Sequence, residues 1–85
     1  AFPNPFNSSI KLVYQISSNV FVEGSIFDIK GKKVATLFKE NQNPGKKAVT
    51  WDGKNQDGML VSAGVYYFRL SSDQLIETKK ILMVK

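Results

Sequence analysis

Hydrophobic and polar residues alternate along almost the whole of this chain, and this period of two constrains the fold more than any other feature. In the first such segment, residues 10–16, every second residue is large and apolar or aromatic, and the residues between them are mostly polar. Successive side chains of a β-strand point to opposite faces, so this alternation predicts strands with one buried face. No segment shows the apolar spacing of an amphipathic helix. We therefore expect an all-β fold.

Clusters of Gly, Asn, Asp and Ser separate the alternating segments and predict turns between short strands. The sequence predicts about seven strands, at residues 10–16, 20–27, 34–38, 48–51, 59–61, 64–70 and 75–84. Residues 39–45, which include two Asn, a Pro and a Gly, are predicted to form a loop. This pattern is typical of an antiparallel immunoglobulin-like β-sandwich, here without the cysteine pair of antibody domains.

Several positions carry predictions about packing. The single Trp, Trp51, is expected at the centre of the core. In the last hairpin, the even-numbered residues of 66–70 are expected to face inward and the odd-numbered residues of 65–69 outward.

Two strands contain an irregularity. Gly24 lies inside the second strand and predicts a bulge or a close backbone approach. In the last strand the alternation changes parity between Thr78 and Ile81. A bulge near Lys79 and Lys80 would reconcile the two halves of that strand. The alternative is that both faces of the strand are covered there.

The absence of two residue types excludes most catalytic chemistry. The 85 residues contain no cysteine and no histidine, so the chain lacks disulfides, thiol nucleophiles, the commonest general base and the commonest metal ligand. The net charge of +5 raises the question of an anionic partner. However, the lysines are scattered near predicted turns and strand ends, which is typical of solubility and edge protection. We expect no enzymatic activity, no cofactor, no nucleic-acid partner and no membrane-spanning segment.

The loop of residues 52–58 contains two Asp-Gly steps and allows two interpretations. In an EF-hand calcium loop with Gly58 as its sixth residue, the first and twelfth residues would have to supply ligands. These two positions are Gly53 and Gly64, which have no side-chain oxygen. The alternative is a turn in which Asp and Asn side chains accept hydrogen bonds from backbone N–H groups. The sequence favours the turn and leaves a weak calcium site open.

A strip of aromatic and cationic residues on the predicted outward faces is a second candidate site for carbohydrate or single-stranded nucleic acid. It comprises Phe21, Phe27, Tyr67 and Arg69. Exposed sheet faces also carry such residues without binding a ligand. An accessory spacer or weak carbohydrate-binding module of a multidomain glycoside hydrolase or adhesin is therefore the alternative function.

Four sequence blocks follow one another along the chain. They are Pro3–Asn7, Ile26–Leu37, Thr50–Leu70 with its Trp-Asp-Gly and Gly-Val-Tyr motifs, and Glu77–Lys85. Together they resemble the type A C-terminal sorting domain of proteins exported by the type IX secretion system of Bacteroidota. The third block is also similar to the immunoglobulin-like domain of flagellar hook-capping proteins, over the second half of the chain. The proline-rich opening and the lysine-ended finish favour the sorting domain.

The resemblance implies a non-enzymatic sorting signal at the end of a longer secreted precursor, with residues 1–85 as its single domain. An N-terminal cargo domain, such as a hydrolase, would pass through the periplasm and an outer-membrane type IX translocon. A sortase-like peptidase would then release the cargo or anchor it at the cell surface. By the same resemblance, the recognition residues would be Gly31, Val34, Lys80, Ile81, Val84 and Lys85. The seam between cargo and domain would be Pro3, Asn4, Pro5, Phe6 and Asn7.

Overall fold

The structure, a computed structural model, describes residues 9–73 and 75–84. Within them the chain forms six β-strands and no helix, which confirms the predicted all-β class. The strands are β1 (Ile10–Ile16), β2 (Val20–Asp28), β3 (Lys33–Gln42), β4 (Gly45–Trp51), β5 (Gly64–Ser71) and β6 (Ile76–Met83). This described part of the chain accordingly offers no long apolar helix of the kind that crosses a membrane.

The strands form two antiparallel sheets that pack face to face. β1 and β4 pair in one sheet, whereas the other sheet has the order β3-β2-β5-β6. In the smaller sheet Ile10 lies opposite Trp51 and Ile16 lies opposite Gly45, so the two strands pair along their whole length. A two-stranded sheet therefore covers one face of a four-stranded sheet.

The core lies between the inner faces of the two sheets and follows from the alternation in the sequence. Every second residue of β1, from Leu12 to Ile16, is buried, as is every second residue of β5 from Tyr66 to Leu70. Trp51, at the end of β4, is 1% exposed and meets the Tyr66 ring edge to face, with ring centroids 5.3 Å apart. The predicted central position of Trp51 and the predicted inward face of β5 are both confirmed.

The strand boundaries correct the sequence prediction at both ends of the connection between β3 and β4 and at residues 59–61. Gly45, predicted to lie in the loop, begins β4. Residues 39–42, predicted to lie in a loop, continue β3, so only Asn43 and Pro44 connect β3 to β4. Because β3 is an edge strand, it can carry polar residues on both faces while its backbone pairs with β2. Residues 59–61, predicted as a further strand, take part only in an isolated bridge between Lys54 and Leu60. The described chain has six strands instead of about seven for this reason.

Gly24 marks a close approach between β2 and β3, but the approaching group is a side chain and not the backbone that was predicted. A Cβ atom at residue 24 would lie 2.3 Å from Cζ of Phe38, far inside contact distance. The Phe38 ring occupies this space and stacks on Tyr14, with ring centroids 5.2 Å apart. The irregularity itself lies on the partner strand, because the register of β2 with β3 shifts twice, at the extra residues Val34 and Leu37 of β3.

The predicted bulge at Lys79 and Lys80 is wrong. β5 and β6 keep one register over all eight of their residue pairs. The inward parity of β6 therefore includes Glu77 and Lys79 as well as Ile81, and the first two are exposed whereas Ile81 is buried. Because Glu77 and Lys79 are exposed at inward positions, we infer that the smaller sheet does not cover the first half of β6.

Candidate functional site

The loop between β4 and β5, residues 52–63, is held in place by its own hydrogen bonds. Asp52 Oδ1 accepts a bond from the Lys54 amide at 3.0 Å, and Asn55 Oδ1 accepts bonds from two later amides at 2.9 and 3.0 Å. Trp51 Nε1 donates to the carbonyl of Lys54 at 3.0 Å and ties the loop to the core. The oxygens of Asp52 and Asn55 therefore cap backbone groups, which is the turn geometry that the sequence favoured.

Acidic side chains do not converge elsewhere in the described residues. Over residues 9–73 and 75–84, no three of them lie close enough together to hold a metal ion.

Tyr66 fastens the start of β5 to the loop before it. Its hydroxyl donates to the carbonyl of Ser62 at 2.7 Å, an arrangement like the tyrosine corner of immunoglobulin-like sandwiches. Burial, and to a smaller extent the nearby negative charge of Asp28, raise the pKa of the Tyr66 hydroxyl above its ordinary value. The Tyr66 hydroxyl therefore stays protonated, and able to donate, to a higher pH than that of an ordinary tyrosine.

Gly31 and Val34, two of the predicted recognition residues, hold structural positions at the β2–β3 turn. Gly31 has a φ of 88° and donates to the carbonyl of Asp28 at 3.0 Å, which confirms the predicted tight turn. Asp28 Oδ1 also accepts bonds from two backbone amides of the turn, at 2.9 Å each. The carbonyl of Val34 accepts a bond from the Gln56 amide at 3.1 Å. The β4–β5 loop thereby covers part of the outer edge of β3.

The other predicted recognition residues do not come together on one surface. Lys80 is exposed on the outward face of β6, Ile81 is buried, and Val84 follows the strand with 63% of its surface exposed. Lys85 and the predicted seam, Pro3–Asn7, lie outside the described residues. A recognition role for these residues rested on the resemblance alone and stays a prediction.

Within the predicted aromatic strip, charged side chains surround the ring of Phe27. The Arg69 guanidinium lies 4.2 Å from the centroid of the Phe27 ring, and Lys33 Nζ lies 6.0 Å from it. Lys33 Nζ also lies 2.6 Å from the Glu23 carboxylate, which accepts a bond from the Ser25 hydroxyl at 2.7 Å. The face of Phe27 is therefore occupied by side chains of its own domain.

Charge holds this cluster together. Hydrogen bonds from Lys33, and then from Ser25, lower the pKa of the Glu23 carboxyl, although partial burial acts in the opposite direction. Sequence reasoning missed the pair of Glu23 and Lys33 because it depends on the register of β2 with β3, which the bulges of β3 displace.

A third surface lies where β1 and β6 run side by side at the edges of the two sheets. Within the described residues, β1 pairs only with β4 and β6 only with β5. Lys79 Nζ, on β6, donates to the carbonyl of Val13, on β1, at 2.6 Å. We call this surface the open side and define it by Lys11, Val13 and Gln15 of β1 with Glu77 and Lys79 of β6.

Comparison with known proteins identifies one family. The model of the FlgD Ig-like domain matches residues 7–75 of the chain. A search of curated proteins finds no match.

Two solved structures share the fold. FlgD from P. aeruginosa superposes with a TM-score of 0.71 at 21% identity, over 92% of this chain and 61% of that chain. FlgD from Xanthomonas campestris, described as giving insights into the hook capping essential for flagellar assembly, superposes with a TM-score of 0.68 at 27% identity. That match covers 89% of this chain and 56% of the X. campestris chain. The chain thus spans less than two thirds of the length of either protein.

These findings overturn the predicted sorting function. The matched family is that of a hook-capping protein, and the match begins at Asn7 and includes the first half of the chain. The prediction of type IX sorting is therefore wrong, together with its translocon, peptidase and cargo partners and its cell-surface location. The alternative of an accessory spacer or carbohydrate-binding module is not supported either. The similarity to hook-capping immunoglobulin-like domains, which the sequence placed second, is confirmed.

The error has a physical origin. The blocks that carried the resemblance are largely those that build the sandwich: the buried Trp51, the Asp-Gly steps of its loop and the start of β5 at Gly64. Residues that specify a fold do not distinguish between functions that use it.

Proposed function

The chain belongs to the FlgD Ig-like domain family, and on this premise we propose that it is an immunoglobulin-like module of a hook-capping protein. In this role it serves flagellar hook assembly as a structural, non-catalytic part. The observation that carries the proposal is the family match over residues 7–75. The 27% identity to FlgD from Xanthomonas campestris, a protein described in connection with hook capping, supports it.

The chemistry of the described surfaces suits a structural role. The polar groups of the β4–β5 loop cap backbone amides, and Glu23 and Lys33 pair with each other. The solved relatives of this family include a hook-capping protein. We therefore propose that the 85 residues form one module, and that the surface of this module carries its function. The rest of such a protein lies beyond the part that this chain spans.

A domain exchange tests this function. The immunoglobulin-like domain of FlgD in X. campestris would be replaced by this chain, and swimming would be measured in soft agar. We expect cells with the chimera to swim, and cells whose FlgD lacks the immunoglobulin-like domain not to swim. A matched chimera carrying Trp51→Ala should fail, because removing a buried Trp costs about 3–5 kcal/mol of folding free energy.

The proposal would be contradicted if the chimera is folded and accumulates to the level of native FlgD, and the cells still swim no better than the deletion strain. The protein level and protease resistance of the chimera would be measured in the same cultures.

A further inference from the structure

The open side has space for one more strand in the smaller sheet. The edge of β1 away from β4 has no strand partner among the described residues. Opposite this edge, Glu77 and Lys79 occupy inward positions of β6 and yet are exposed. A strand added to the edge of β1 would lie over the first half of β6 and cover both side chains.

Lys79 supplies a hydrogen bond that such a strand would otherwise supply. In a β-sheet a carbonyl at the strand edge accepts a bond from a backbone N–H of the neighbouring strand. Here the carbonyl of Val13 accepts its bond from the Lys79 ammonium, at 2.6 Å. The Lys79 side chain is exposed and flexible, so an incoming strand can displace it from Val13 and leave the ammonium free to meet a carboxylate of that strand.

Charge indicates what kind of strand fits. Three lysines, Lys11, Lys46 and Lys79, and one glutamate, Glu77, lie around the outer edge of β1. Val13, at the middle of the edge, is 41% exposed and provides an apolar contact. An acidic segment with alternate apolar residues complements both features.

We propose that the open side binds an extended acidic segment of another protein, which adds as a third strand to the edge of β1 that has no partner among the described residues. Backbone hydrogen bonds to β1 provide the attachment, as in other cases of strand addition. Carboxylates on the inward face of the segment pair with Lys79 and select it over neutral or basic segments, while apolar residues on its outward face lie beside Val13. The proposal concerns the chemistry of the partner and does not depend on a role in the flagellar hook.

Amide chemical shifts of the 85-residue chain test the proposal. The chain would be titrated with a blocked octapeptide of alternating Glu and Val, and with two matched peptides. One replaces each Glu by Lys, and the other replaces two Val by Pro, which removes backbone donors. We expect saturable shifts in β1 and around Lys79 with the first peptide only. Equal binding of the proline peptide, shifts confined to other strands, or no saturable shift at all would each overturn strand addition.

Charge-reversed variants test the selectivity. Lys79→Glu should weaken binding of the acidic peptide by about tenfold or more, because it replaces an attraction by a repulsion. Lys30→Glu, in the β2–β3 turn, changes the net charge equally and should leave the affinity within about twofold. If both variants weaken binding equally, the contact is unspecific attraction and the proposal fails. Concentration-dependent shifts of the chain alone would identify a second copy as the occupant and would overturn the proposal as well.

Discussion

The ring of Phe38 fills the space that a side chain at residue 24 would need, with Cζ only 2.3 Å from an ideal Cβ position. The ring is held there by stacking on Tyr14 and by a tilted contact with Phe68, whose centroid lies 6.4 Å away. The sequence predicted a close approach at Gly24 but not its partner, because Phe38 reaches this position only after the bulges of β3.

Gly24→Ala should therefore destabilise the domain. Phe38 must leave its stacked position to admit a methyl group, and overpacking of this kind costs about 1–3 kcal/mol. Urea unfolding would measure the loss, and a double-mutant cycle with Phe38→Leu provides the control. The double variant should lose less than the sum of the single losses. A stability of Gly24→Ala equal to that of the native chain would show that the ring does not occupy this space.

Tyr66 links stability to alkaline pH. Because the pKa of its hydroxyl is raised in the folded state, the neutral form favours folding. This contribution is fully present below the unfolded-state pKa of about 10 and is lost as pH rises through the folded-state pKa.

Tyr66→Phe should consequently be less stable at neutral pH, by about 0.5–1.5 kcal/mol for the lost bond to Ser62. It should also lose less stability than the native chain between about pH 8 and about pH 11. Urea unfolding at both pH values measures this, with Tyr67→Phe as the matched control. If Tyr66→Phe and Tyr67→Phe show the same alkaline loss, the raised pKa of Tyr66 does not affect folding.

Among the elements, β1 could be predicted in full because its alternation is regular and a turn follows it. β3 was predicted too short, since residues 39–42 are polar and only their pairing with β2 makes them a strand. The parity of β6 was misjudged because a sequence does not state how far the opposite sheet extends. Where that sheet ends, inward positions accept Glu77 and Lys79.

The unbroken register of β6 makes a prediction about two isoleucines. Ile81 faces the core and is 6% exposed, whereas Ile76 faces outward and is 66% exposed. Ile81→Ala should cost about 2–5 kcal/mol, and Ile76→Ala should change stability by less than about 0.5 kcal/mol. Thermal or urea unfolding of the pair measures the contrast. Equal losses would mean that the strand contains the bulge after all.

For the whole molecule, the sequence predicted the sandwich and the core but assigned the function to the wrong family. The sandwich follows from alternation, turns and a buried Trp51, all of which are local features. The open side could not be predicted, since the contact of Lys79 with Val13 joins residues far apart in the chain and depends on how the two sheets overlap.

The most direct test of the account is to count hooks by electron microscopy in X. campestris cells whose FlgD carries this chain in place of its own immunoglobulin-like domain. We expect hooks on these cells at a frequency close to that of cells with native FlgD, and none when FlgD lacks the domain. A stable, folded chimera on cells without hooks would contradict the proposal that this chain is an immunoglobulin-like module of a hook-capping protein.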